Sequence, residues 1–160
     1  MTTDLENRIR LLEDKQAIEE LIYAYARICD TGFRGEAMAK LFTEDAIWES
    51  NFGIRLASHQ EITDFFNAQV NTKFALHFYT NMATEVTGDT ATGRCLLVQT
   101  CTDLAQDGTP GGTFMGADYL NDYVRTAEGW KFAHVRLNQR FRVPAGTDWG
   151  AGSLDTPTLG

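Results

Sequence analysis

Between Phe74 and Val143 the chain reads as strand almost without interruption. Stretches 77–86, 90–104, 113–126 and 130–143 are rich in β-branched and aromatic residues. They are broken only at Thr87-Gly88-Asp89, at 106–112 and at Ala127-Glu128-Gly129. Breaks this short leave no room for a crossover helix, so neighbouring strands must pair antiparallel as a meander. Strands in globular proteins usually run about 3–10 residues, and these are longer. Long antiparallel strands twist and coil, and a coiled sheet needs something to wrap.

The first third of the chain supplies it. In residues 17–42, Ile18, Leu21, Ile22, Tyr25, Ile28 and Cys29 recur at three- and four-residue steps, the stripe of an amphipathic helix. The helix should stop near Gly32, which accepts a left-handed C-cap. Residues 4–15, with Leu5, Ile9 and Leu12 on one side and Thr3 or Asp4 as cap, either continue this helix or precede a new start at Asp14. A short helix at 36–41, a strand at 46–49, a turn at Asn51-Phe52-Gly53 and a brief strand at 54–57 follow. Ser58 caps a third helix, with Glu61 three residues on and Ile62, Phe65, Phe66 and Val70 as its stripe. The predicted class is α+β: a curved antiparallel or mixed sheet wrapped round about three N-terminal helices, open at one end to leave a pocket. Residues 1–143 read as one domain, and 144–160, with Trp149, as a tail lying over the surface.

At 160 residues such a chain buries a sizeable core. Its 22 acidic and 14 basic residues give a net charge of −8, which argues against nucleic acid and against anionic membranes as partners. No apolar run approaches the ~20 residues of a membrane span, and the start MTTDLENRIR does not read as a signal peptide. Cys29, Cys95 and Cys101 are odd in number and lack metal or redox spacing. Reduced thiols in a cytoplasmic protein are the expectation.

One carboxylate is badly placed for stability. Asp30 falls in the last turn of the first long helix, where the dipole is negative and Lys or Arg is preferred. Either it points into water or the fold needs it there. Of the three histidines, His59 reads as exposed in the first turn of the third helix. By alternation His77, Tyr79 and Asn81 share one face of a strand, and Leu76, Phe78 and Met82 the other. His134 and Arg136 alternate with Trp130 and Phe132, so they are expected to follow those aromatics into the interior, where an arginine must be paired or used. Glycine-rich nucleotide motifs, HExxH, GxSxG and zinc-spaced Cys/His clusters do not occur, so neither a metal nor another cofactor is expected. Cofactor-free proton chemistry needs a base, a residue to orient it and donors for developing charge. His77, Asp30, Arg136 and Tyr25 are the candidates. Tyr25 reads equally as a core aromatic, and Arg136 as the structural partner of a buried acid.

The helix with Tyr25-x4-Asp30, the segment Leu41-Phe42-x2-Asp45-Ala46-x-Trp48, the pair His77-x3-Asn81 and the segment Gly129-Trp130-Lys131-Phe132 occur in an order that resembles the NTF2-like superfamily. More narrowly it is similar to the SnoaL-like branch, which includes scytalone dehydratase, bile acid 7α-dehydratase and the dehydrochlorinase LinA. The resemblance implies an Asp30–His77 pair that abstracts a proton, an arginine at Arg136 and, from the bile acid enzyme, a tyrosine at Tyr25 and a further acidic residue at Asp103. A second histidine of scytalone dehydratase has no counterpart, His134 lying in a different strand. The expected function is a cofactor-independent lyase of dehydratase type acting on a hydrophobic cyclic or aromatic small molecule. Phe42, Trp48, Phe65, Trp130 and His134 are the expected substrate-binding residues, and a homodimer or homotrimer is implied by analogy. The same fold serves isomerases, polyketide cyclases and the structural β subunits of ring-hydroxylating dioxygenases, and these alternatives stay open.

Overall fold

Thr3 opens the longest helix. Its hydroxyl accepts from the Glu6 N–H at 3.2 Å, and the Glu6 carboxylate takes the Thr3 N–H at 2.5 Å. In the computed structural model, which describes residues 3–147, helix α1 (Asp4–Asp30) then runs unbroken for 27 residues. Asp14 therefore starts no second helix. The helix ends at a Schellman pattern: the Phe33 N–H reaches back to the Ile28 carbonyl at 2.9 Å and the Gly32 N–H to Cys29 at 3.4 Å. Gly32 at φ +107° makes this turn without strain, and Phe33 follows it at φ +52°. Asp30 is thereby fixed as the last helical residue.

Helix α2 (Gly35–Ala39) is short, and α3 (His59–Asn67) begins at Ser58, whose hydroxyl accepts the Glu61 N–H at 3.2 Å. The Glu61 carboxylate continues to the Ala57 N–H at 2.6 Å. Val70 lies beyond the end of α3 and is exposed, so the apolar stripe is Ile62, Phe66 and the half-buried Phe65. His59 is half-buried rather than exposed. Its Nε2 lies 3.1 Å from the Phe42 carbonyl, which can only accept, so Nε2 carries the proton.

The strands are β1 (Phe42–Ser50), β2 (Arg55–Leu56), β3 (Thr72–Thr87), β4 (Thr90–Leu104), β5 (Pro110–Thr126) and β6 (Gly129–Pro144). They form one mixed sheet in the order β2-β1-β6-β5-β4-β3, with β1 parallel to β6 and every other pair antiparallel. The meander of β3 to β6 and the α+β architecture agree with the expectation. The concave face closes on α1: Ile18, Ile22, Tyr25 and Cys29 pack with Phe42, Leu97, Tyr119, Tyr123, Phe132 and Val135 in one core. Of the expected tail, residues 148–160 lie outside the described residues.

Three bulges decide which side chains face that core. In β3 the register slips between Thr80 and Ala83, with Asn81 at φ +52°. Asn81 turns outward and Met82 inward, the reverse of simple alternation. In β6 an extra residue, Ala133, stands between Phe132 (opposite Tyr123) and His134 (opposite Asp122). A second, Arg140, stands between Gln139 (opposite Ala117) and Phe141 (opposite Gly116). Trp130 and Phe132 point inward, then Val135 and Leu137, and beyond the second bulge Arg142. His134 and Arg136 are therefore carried to the outer face.

Asp14 ties down the far end of the molecule. Its carboxylate takes the Arg125 guanidinium through two bonds at 2.6 and 2.7 Å and the Trp130 indole N–H at 3.1 Å. Arg125 also stacks 4.4 Å over the Trp130 ring.

Candidate active site

Asp30 and His77 meet at the open end of the cone. The C-terminal turn of α1 holds the carboxylate, and β3 presents the imidazole from the neighbouring sheet edge. His77 Nδ1 lies 2.6 Å from Asp30 Oδ1. Only 5% of the His77 side chain is exposed, against 23% for Asp30. Phe33, placed by the turn after α1, sets its ring edge-on to the imidazole at 6.2 Å. Burial pushes the His77 pKa below its ordinary value, and the hydrogen bond and charge of Asp30 oppose that push without overcoming it. The imidazole is thus neutral near pH 7. With Nδ1–H given to the carboxylate, Nε2 is left with its lone pair, the form a base requires.

His77 lines a cavity of about 360 Å³. Trp48, Phe65, Phe66, Ile54 and Leu137 form an apolar wall, and Tyr25 and Tyr119 lie with them. Gln99, Asp103, Gln139 and Arg142 make up a polar side. Tyr25 is 4% exposed and is surrounded by Phe42, Phe66, Tyr79, Tyr119 and Phe132 with ring centroids 5.8 to 6.4 Å away. Its oxygen accepts the Trp48 indole N–H at 3.1 Å. Burial raises its pKa well above the usual phenol range, so it stays protonated and keeps an O–H to donate. Tyr25 is a core aromatic and a cavity residue at once.

The other expected residues divide. Trp48 and Phe65 line the cavity. Phe42 is fully buried behind it, in contact with Phe132. Trp130 is at the opposite end of the cone with Asp14. Arg136 and His134, carried outward by the bulge at Ala133, belong to an ion-pair chain on the convex face. Arg136 donates to Asp122 at 2.6 Å and to His134 Nδ1 at 2.9 Å, and His134 Nε2–H donates to Glu49 at 2.8 Å. The expectation that Arg136 and His134 enter the interior is corrected. The groove beside Arg136, about 910 Å³, is larger than the cavity; its lining includes ion pairs such as Arg140–Asp118 at 2.6 Å and no histidine.

The arginine that does line the cavity is Arg142; the second bulge undoes the first, so it faces inward where plain alternation from Trp130 and Phe132 also puts it, and the sequence reading did not single it out. It pairs with Asp103, whose carboxylate also accepts from Thr72 at 2.6 Å and Cys101 at 3.3 Å. Burial alone would raise the Asp103 pKa, but these hydrogen bonds and the Arg142 charge outweigh it and hold the carboxyl below its usual range. Cys29, Cys95 and Cys101 are all free and buried. Among the described residues no three His, Cys, Asp or Glu side chains converge as metal ligands. Nor is any described helix long and apolar enough to cross a membrane.

The molecule is by its architecture a helix-filled α+β cone with a cavity at its mouth. A family model described as the SnoaL-like domain matches residues 10–136, and the chain belongs to that family, within the NTF2-like superfamily. Among solved structures it is similar to an NTF2-like protein with a cystatin-like fold from Novosphingobium aromaticivorans, at 28% identity and TM-score 0.69 over 87% of this chain and 90% of that one. It is also similar to a proposed scytalone dehydratase from the same organism, at 17% identity and TM-score 0.76 over 92% and 99% of the two chains. The hexachlorocyclohexane dehydrochlorinase LinA Type2 gives 19% identity and TM-score 0.77 over 95% and 99%. The latter two likenesses are of fold. No curated protein matches the chain.

Proposed function

We propose that the protein is a cofactor-independent lyase that removes a proton from a hydrophobic cyclic or aromatic small molecule and expels a leaving group from the adjacent carbon. The observation that carries this reading is the 2.6 Å contact between Asp30 and a buried, cavity-lining His77. His77 Nε2 takes the proton, and the C–H electron pair becomes the new C=C bond as the leaving group departs with its own pair. Asp30 holds the imidazole in the Nδ1–H tautomer and stabilises the imidazolium that forms. The Tyr25 O–H donates to the leaving or carbonyl oxygen. Scytalone dehydratase and LinA, whose folds this chain shares, are named for eliminations, which supports the same assignment. The same groups serve an isomerase if the imidazolium returns its proton to another carbon of the substrate.

The test is turnover on a panel of hydroxylated and halogenated cyclic compounds. His77→Ala and Asp30→Asn should each lower kcat by about 10²-fold or more. Full turnover by both variants on a compound that the wild type converts contradicts the mechanism.

A further inference from the structure

A row of side chains crosses the concave face from the dyad to Arg142. His77 on β3 stands opposite Gln99 on β4, Gln99 opposite Met115 on β5, and Met115 opposite Arg142 on β6. All four line the cavity. Facing side chains on antiparallel strands lie about 4.5–5.5 Å apart at Cβ, which makes Gln99 the polar neighbour of the base. Gln99 is 6% exposed, yet its amide makes no hydrogen bond to the described residues. The amide atoms are not among the fully buried, unpartnered ones, so they open on the cavity, and closing that space over them without a partner would be unfavourable. An apolar side chain such as Leu97, two residues earlier on the same face, would fill the space without that cost.

We propose that Gln99 holds an uncharged carbonyl or hydroxyl oxygen of the substrate beside the carbon from which His77 takes its proton. The proposal rests on the reading of His77 as the base. Charge selects the oxygen. The one arginine lining the cavity, Arg142, is paired with Asp103, and Asp30 lies close by. A substrate carboxylate would meet both acids with no unpaired cation to receive it, whereas a neutral carbonyl accepts the Gln99 N–H and a hydroxyl donates to its C=O. The cavity is at the lower end of the ~300–1,000 Å³ range of ligand sites, which suits one or two rings. When an α-proton moves to His77, the C–H pair enters the C–C bond and the carbonyl π pair moves to oxygen. The Gln99 N–H then bonds an oxygen that is gaining negative charge.

The probes are 1-tetralone, a two-ring ketone with an α-CH₂, and tetralin, the same skeleton without the oxygen. Dissociation constants are measured for the wild type, for the near-isosteric Gln99→Leu and for Gln99→Glu, which can accept but not donate. The wild type should prefer the ketone by about tenfold, as expected of one hydrogen bond in a desolvated site. Both variants should lose that preference. If Gln99→Leu does not fold, Gln99→Glu decides alone. A wild type without preference, binding of neither probe included, or a variant that keeps the preference overturns the proposal. Solvent-deuterium exchange at the ketone α-carbon separates this from the parent reading. Ketone preference through Gln99 without His77-dependent exchange leaves this proposal standing and contradicts the base. His77-dependent exchange with no loss of preference in Gln99→Leu does the reverse.

Discussion

The Asp30 carboxylate meets the His77 imidazole at 2.6 Å across 47 residues of sequence, at the helix end where a negative charge is least welcome. The partner explains the placement. Asp30 is held by the Schellman turn, and His77 is held by its pairing with Gln99 on the neighbouring strand. Neither needs the other for its backbone position, so the contact can be tested by substitution without dismantling the fold.

The pH dependence follows from burial. The folded His77 pKa lies below its ordinary 6.5, so the neutral base persists below that pH, and the acidic limb of kcat/KM should fall at an apparent pKa under 6.5. Asp30 is what holds that pKa up. In Asp30→Asn the limb should move to still lower pH while its plateau drops about 10²–10⁴-fold. A limb moving upward would mean that Asp30 does not act on the titrating group.

Two arginines separate the faces of the sheet. Arg136→Gln breaks a convex-face pair with Asp122, both side chains being over a third exposed, and should cost no more than about 1 kcal/mol of stability. It should leave kcat/KM within about twofold, the scatter of surface changes. Arg142→Gln removes the partner of Asp103 inside the cavity mouth and should lower kcat/KM by at least about tenfold. Steady-state kinetics on one substrate compare them directly.

The far end of the cone carries a stability prediction. Asp14 is held below the usual carboxylate range chiefly by its Arg125 bond, with burial opposing and the Trp130 N–H assisting. A depressed folded pKa contributes stability that is fully present above the unfolded value of about 3.9 and is lost as pH falls through the folded one. Asp14→Asn should destabilise by about 1–3 kcal/mol, below the range for fully buried pairs because Arg125 keeps some exposure. Urea denaturation at pH 7 and pH 3 measures both the loss and its decrease in acid.

Gly35 marks where α2 meets α3. A Cβ there would stand 2.1 Å from the Thr63 carbonyl oxygen, and the Gly35 N–H already donates to Asn67 Oδ1 at 2.7 Å. Gly35→Ala must push the helices apart, at about 1–3 kcal/mol. A thermal midpoint lower by several degrees would report it.

Much of the architecture was legible because local chemistry carries it. Thr87-Gly88-Asp89 and Ala127-Glu128-Gly129 mark hairpins, Ser58 marks a cap, and Gly32 marks a helix end. Asp30 and His77 were legible as candidates from an awkward charge and a strand face. The bulges were not. Neither Ala133 nor Arg140 differs from an ordinary strand residue, yet each reverses the faces that follow, the first placing Arg136 outside and the second returning Arg142 to the inside. Asp14 was equally silent, because its partner Arg125 lies 111 residues away.

In the proposed mechanism burial keeps His77 neutral and Asp30 holds it in the Nδ1–H tautomer, with Nε2 available to the cavity. Nitrogen-15 NMR of the histidine rings at pH 7, with His77 assigned by its loss in His77→Ala, tests it without any substrate. Nδ1 should carry the proton and Nε2 should not, with titration below pH 6.5 in the wild type and lower still in Asp30→Asn. An imidazolium at pH 7, or a proton on Nε2, would contradict it.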